Sequence, residues 1–365
     1  MTGLIDPRIA SAVARRISGE PRTRDPERID AAQRLARDLE SAIGRSEALV
    51  AEVSGIAPPP PVKWAIVGRG DWAEANIAGM SGLISPIADK LGARLDRLPA
   101  PVRLFQRGVI SAEVGVMLGY VSRRVLGQYD VLVPESDFDE LPRWKQRRHP
   151  TGGASLYFVG VNMIETQKRL KFLPEDFALW VAVHELTHRF QFEGVPWLRD
   201  RFFGLIHEYI EAVHLDAKSF ARRLASAARR LATRTVPGEE RNAVYLLASE
   251  EQREILDRIQ ALMAVVEGHG NFVMDTAGES AIPTFARMRK AFDRRKEQTN
   301  LLQRVINHAI GLEMKMRQYE TGQRFCTYVA ARGGREVLEH LWSSPENLPT
   351  LAELKSPERW VHRVA

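Results

Sequence analysis

The 365-residue chain has a single cysteine, Cys326. One thiol excludes an intrachain disulfide framework and any metal site built from several thiolates, and it agrees with a reducing compartment. A long hydrophobic run is also missing. No stretch approaches the roughly 18 uninterrupted apolar residues of a membrane-spanning helix, and the longest candidate, 109–121, contains Glu113. That run reads instead as a buried helix, with Gly108, Gly115 and Gly119 letting another element approach closely. Residues 1–20 carry several charges and no apolar segment of the kind a secretory signal needs, so the expected location is cytoplasmic. Repeats and low-complexity tracts are absent. Neither sign of charge dominates: 52 Lys and Arg against 46 Asp and Glu leave a net charge of +6. Spread over this length, such an excess speaks to solubility more than to a nucleic-acid or membrane partner.

What is present is ordinary globular composition, 44% apolar and 27% charged. Along 28–56, Ile29, Leu35, Leu39, Ile43, Leu49 and Val53 recur at helical spacing, predicting one long amphipathic helix or two joined ones. Four prolines at 58–61 end it. The expected organisation is therefore an N-terminal helical extension, 1–57, and a main body, 62–365, unless the two form one continuous domain. Residues 63–67, 129–134 and 156–161 read as strands; 84–95, 102–126 and 177–192 read as helices. Beyond Trp197 helical patterns prevail, over 200–234, 239–274 and 282–319. The expected class is mainly α, with a small β component.

The chemistry lies in residues 181–190, VAVHELTHRF, where HExxH falls inside a predicted helix. Positions four apart share a helix face, so His184 and His188 can reach one ion while Glu185 addresses a water bound to it. With nine histidines, chance supplies this pattern in about one such sequence in a hundred. The bland alternative is a pair of histidines that merely pack. A catalytic zinc normally takes three protein ligands and keeps a fourth position for water. No histidine occurs in 189–206, and Gly194-Val195-Pro196 breaks the helix, so a carboxylate from a later helix is expected.

The best candidate is Glu267, in the segment 264–275, AVVEGHGNFVMD. One turn on stands Asn271, where a glutamate-type zinc site commonly has an aspartate bonded to a ligand histidine. An asparagine oxygen can accept that bond without the charge, and Asp275, a further turn along, could substitute. His269, two positions from Glu267, faces elsewhere and suits a second-sphere or substrate contact. Zinc would lower the pKa of its water toward about 7 and polarise a carbonyl, with Glu185 taking the proton. The natural reaction is peptide or amide hydrolysis. His207, Tyr209, His214 and Tyr245 are eligible by type to stabilise the oxyanion, although for each one alone a packing or surface role is the stronger reading.

Several blocks resemble a known family, the zinc-dependent metalloproteases of actinobacteria and Chloroflexi, also labelled as associated with deazaflavin-cofactor biosynthesis. They are VLGQYD at 125–130, LYFV at 156–159 with Asn162, FALW at 177–180, the HExxH region 184–192, VPWL at 195–198, Glu267-Gly268-His269 with Met274-Asp275, and Gln318-Tyr319 followed by Gly322. Leu348-Pro349-Thr350 and the segment 357–360 extend the likeness, which covers the chain from about residue 62 onward. The resemblance implies a zincin-like, mainly helical domain with a small β-sheet and the HExxH helix at its centre. It carries over His184, Glu185, His188 and Glu267; Asn271 departs from its expected aspartate.

Four other readings compete. Residues 68–73 match the GxGxxA turn of dinucleotide-binding folds, but neither the second strand nor the later acidic residue follows. Arg69-Gly70-Asp71 matches an adhesion tripeptide, a coincidence in a cytoplasmic protein. Residues 218–234 carry Lys218, Arg222, Arg223, Arg229, Arg230 and Arg234, with Phe220, Leu224 and Leu231 on one side. Such a helix could contact anionic lipid or nucleic acid, or simply be a solvated face; no aromatics interleave the arginines. A zinc protein without turnover is the remaining alternative, and Glu185 argues against it, because a structural site needs no base.

Overall fold

The computed structural model describes residues 5–20, 26–61, 63–83, 99–132, 151, 153–212, 248–297 and 312–364. His214, Tyr245, the basic segment 218–234 and the expected helix 84–95 lie outside them. Within the described residues the chain is mainly α with one three-stranded sheet. It forms two compact units, Met1–Val50 with Pro58–Arg189 and Ala277–Ala291, and Ala51–Ala57 with Phe190–Thr276 and Phe292–Ala365.

The first unit is built on the sheet. β3 (Leu156–Val159) is central, pairing in parallel with β1 (Trp64–Val67) and antiparallel with β2 (Gly127–Tyr129). All four residues of β3 are buried, as expected of a strand covered on both faces, and its sequence is correspondingly apolar at every position. The expected strands at 63–67 and 156–161 fall here; the middle one is displaced, running from Gly127 rather than Tyr129. The expected helix over 28–56 is a single helix, α2 (Pro26–Ser54).

α1 (Pro7–Ser18), which the sequence patterns did not single out, starts on Asp6, whose carboxylate caps the amides of Arg8 and Ile9. It packs against α3 (Arg69–Leu83) and α4 (Ala100–Ser122). Ala10 and Ala14 of α1 join Trp72, Ile77, Leu118 and Tyr157 in the core of this unit. The α1–α4 contact is backbone-close: a Cβ on Gly115 would stand 2.5 Å from the Ala10 carbonyl oxygen, and one on Gly119 would stand 2.7 Å from that of Ala14. A Cβ on Gly108, by contrast, would meet nothing within 4 Å. α4 is accordingly not buried all round. Its covered face is Ser111, Gly115, Leu118, Gly119 and Ser122, whereas Leu104 and Phe105 are 70% and 72% exposed.

The glycine turn between β1 and α3 is satisfied from within. The Arg69 and Gly70 amides donate to the Glu20 carboxylate at 3.2 and 2.8 Å, placing an anion at the positive end of the helix. The Arg69 guanidinium is buried and donates to Asn162 Oδ1 and Glu165 Oε2, both at 2.6 Å. The nucleotide and adhesion readings of this segment both lapse on these contacts.

The second unit is helical among its described residues: α7 (Leu198–Glu211), most of α8 (Glu250–Ala281), α10 (Leu312–Ser343) with non-helical backbone at Gly334, α11 (Leu351–Lys355) and α12 (Pro357–Val364). Between α8 and α10, α9 (Phe285–Glu297) begins in the first unit. The C-terminal motifs explain themselves here. Thr350 and Glu353 form a reciprocal capping box on α11, and the fully buried Trp360 packs on Phe325 and donates to the Asn347 carbonyl at 2.6 Å.

Candidate metal centre

The HExxH motif lies in α6 (Pro174–Gly194), which follows α5 (Gly160–Leu170). Glu175 and Asp176 occupy its first turn, and Asp176 accepts bonds from the amide and hydroxyl of Thr284. From Phe177 to Phe192 every residue is buried except His184 and His188, which are partly exposed. Glu185, Thr187, Arg189 and Gln191 are among the buried residues; between Phe177 and Phe192 the helix opens only where its two histidines stand, one turn apart.

The two imidazoles converge. Their Nε2 atoms are 3.2 Å apart and the rings meet edge to face at 82°. Two zinc–nitrogen bonds of about 2.0–2.1 Å at a tetrahedral angle separate their nitrogens by about 3.3–3.4 Å, so the pair fits one such ion. Glu185, next to His184 on the helix, is 8% exposed. Its Oε2 accepts the Tyr129 amide at 3.2 Å.

Beside Glu185 lies a buried polar network on the sheet. The Tyr157 hydroxyl donates to Asp130 Oδ2 at 3.0 Å and accepts from Gln128 Nε2 at 2.9 Å; Gln128 in turn bonds Asn76. Burial holds the Tyr157 phenol well above the ordinary tyrosine range, and the charges of Asp130 and Glu185 push it the same way. The phenol therefore stays protonated.

In α8, Ala261 to Gly270 is buried except for Met263 and Glu267. His184, His188 and Glu267 each offer a donor atom, and the three atoms lie within 4.8 Å of one another. Asn271 is partly exposed one turn beyond Glu267. Asp275 accepts from Gln323 Nε2 at 2.6 Å. His269 is completely buried, edge-on to Trp342, with its Nδ1 3.1 Å from the amide nitrogen of Gln191; that amide also donates to the Val266 carbonyl. Where Glu267 leaves off, α8 and α10 cross backbone on backbone at Gly268 and Gly322, with no room for a Cβ on either.

The oxyanion candidates fare differently. His207 is exposed, with Nε2 3.3 Å from Glu211 one turn along. Tyr209 is half-buried on the same helix, and burial raises its pKa. His214 and Tyr245 lie outside the described residues. The sequence reading missed Gln191, Tyr157, Asp130 and the strand that meets Glu185. Gln191 had one usable signal, its place three residues after His188 on a helix otherwise apolar nearby; the rest are long-range partners.

A helix-borne histidine pair with an adjacent carboxylate defines a class, and comparison with known proteins identifies it. The model of the family described as zincin-like metallopeptidase matches residues 5–361. The chain belongs to that family, which implies a bound metal, typically zinc, and a hydrolase. A crystal structure from Chloroflexus aurantiacus, provisionally described as a hydrolase with a novel fold, is similar over 98% of both chains, with 30% identity and a TM-score of 0.67. No curated protein matches. No helix among the described residues is long and apolar enough to cross a membrane.

Proposed function

We propose that the chain is a zinc-dependent metallopeptidase, with His184, His188 and Glu267 as metal ligands and Glu185 as general base. The convergence of the two histidine Nε2 atoms at 3.2 Å carries this reading, and the donor atom of Glu267 within 4.8 Å of both supplies the third ligand. Zinc at this point supplies a Lewis acid and a water of lowered pKa. Glu185, next in sequence to a ligand yet not one itself, accepts the proton on its carboxylate and returns it to the leaving amine. The burial of α6 excludes bulk water from all sides but one, which strengthens each charge interaction at the opening.

Zinc content by elemental analysis, read beside hydrolysis of a casein-derived peptide mixture, tests the assignment. The wild type should hold about one zinc per chain. His184→Ala, His188→Ala and Glu267→Ala should each lose it, and Glu185→Gln should keep the zinc and lose hydrolysis. Zinc retained in Glu267→Ala would remove that residue from the ligand set. Full hydrolysis in Glu185→Gln would end the general-base role.

A further inference from the structure

Among the described residues β2 is an edge strand, and its pairing with β3 dictates which of its amides face outward. The Asp130 amide donates to Ser155 and the Val159 amide to Leu126, at 2.7 and 2.8 Å. Residues 126, 128 and 130 thus turn toward β3, and Gly127 and Tyr129 present their backbone to the other side. On that side stands Glu185. The Tyr129 amide reaches its Oε2, and Gly127 lies flat against its stem. A Cβ at position 127 would come within 2.7 Å of Glu185 Cγ and 3.1 Å of Oε1. Both atoms belong to a side chain that is itself almost wholly buried, with little room to yield.

Glycine inside a strand costs conformational entropy and offers nothing to pack, so its presence marks a close approach. Here what approaches is the catalytic carboxylate. We infer that the outward backbone of β2, Gly127 and the Tyr129 amide, is a positioning seat for Glu185. It fixes the rotamer of the general base independently of the metal ligands: the amide anchors one oxygen, and the bare Cα leaves space for the stem. The inference rests on the reading of Glu185 as the base. It makes Gly127 a residue whose replacement harms proton transfer and leaves zinc binding intact.

Two measurements test it. The first uses zinc-loaded protein and acetohydroxamic acid, which would bind zinc as its anion and give its proton to a neighbouring base. Calorimetry should show the hydroxamate Kd weakened about 10–100-fold in Gly127→Ala, as for lost support of a site group, with zinc affinity unchanged. Glu185→Gln should weaken it similarly, and the double variant should add little, because the two changes act through one group. Gly108→Ala, whose Cβ meets nothing, serves as the control. Hydroxamate binding in Gly127→Ala equal to wild type would overturn the seat.

The second measurement is a thermal-stability cycle on metal-free protein, Gly127→Ala in the native and Glu185→Ala backgrounds. A Tm loss that shrinks when the Glu185 side chain is removed supports the contact; equal losses in both backgrounds refute it. A wild type that binds no zinc would sink the proposed function, and this cycle would still decide the seat.

Discussion

α4 and α6 are both rich in apolar residues, and they use them in opposite ways. α6 buries its large side chains on all sides and opens at two polar ones, His184 and His188. On α4 the small residues Ser111, Gly115, Gly119 and Ser122 are buried, while Leu104, Phe105, Val109 and Val116 face outward. The reason lies in what each helix packs against. α4 takes the backbone of α1 at a distance only a missing Cβ permits, so its covered face is narrow and its bulk is pushed outside. Hydrophobicity alone does not report burial; the residue type that breaks the pattern does. A glycine row marks a tight neighbour, and a polar pair in an otherwise buried helix marks a site.

Substitution should separate the two helices, beginning with the largest effect. Leu186→Ala, at a fully buried position of α6, should cost about 2–5 kcal/mol in chemical denaturation. Zinc at about 100 times its Kd should stabilise the wild type by about 2.7 kcal/mol; that gain should vanish in His188→Ala and survive any change on the outer face of α4. Tyr157→Phe leaves the buried Asp130 carboxylate short of a donor and should cost about 1–3 kcal/mol. Because the folded phenol titrates above its unfolded value, that cost should stay constant from neutral pH upward. It should then shrink only above about pH 10, as the phenol ionises first in the unfolded chain. Gly115→Ala and Gly108→Ala should differ in sign. The first overpacks against α1 and loses about 1–3 kcal/mol, and the second gains about 0.5–1 kcal/mol from helix propensity. Phe105→Gln should move stability by less than about 0.5 kcal/mol; a loss of several would show that the outer face of α4 is covered after all.

The candidate metal site was legible because its signal is local. His184, Glu185 and His188 sit within one helical turn, and Glu267 stands out as a carboxylate in a helix otherwise apolar around it. The mainly α class and the long helix α2 followed from periodicity in the same way. The seat of Glu185 was not legible, since Gly127 and Glu185 are far apart in sequence and meet only because β2 pairs with β3. The Gly268–Gly322 crossing was hidden for the same reason. α1 escaped notice because its buried face is alanine, which carries little hydrophobic contrast against its arginines. The expectation that 109–121 forms a buried helix holds for one face only, because backbone proximity to α1, not apolar content, chose the covered side.

A helix buried from Phe177 to Phe192 and open within that stretch at one pair of side chains also sets a direction of traffic. On the proposed function, metal and substrate would both reach His184 and His188 from the side these two side chains face, by a single approach. Compact chelators should therefore strip the metal faster than bulky ones of equal affinity, and a bound substrate-like molecule should slow both.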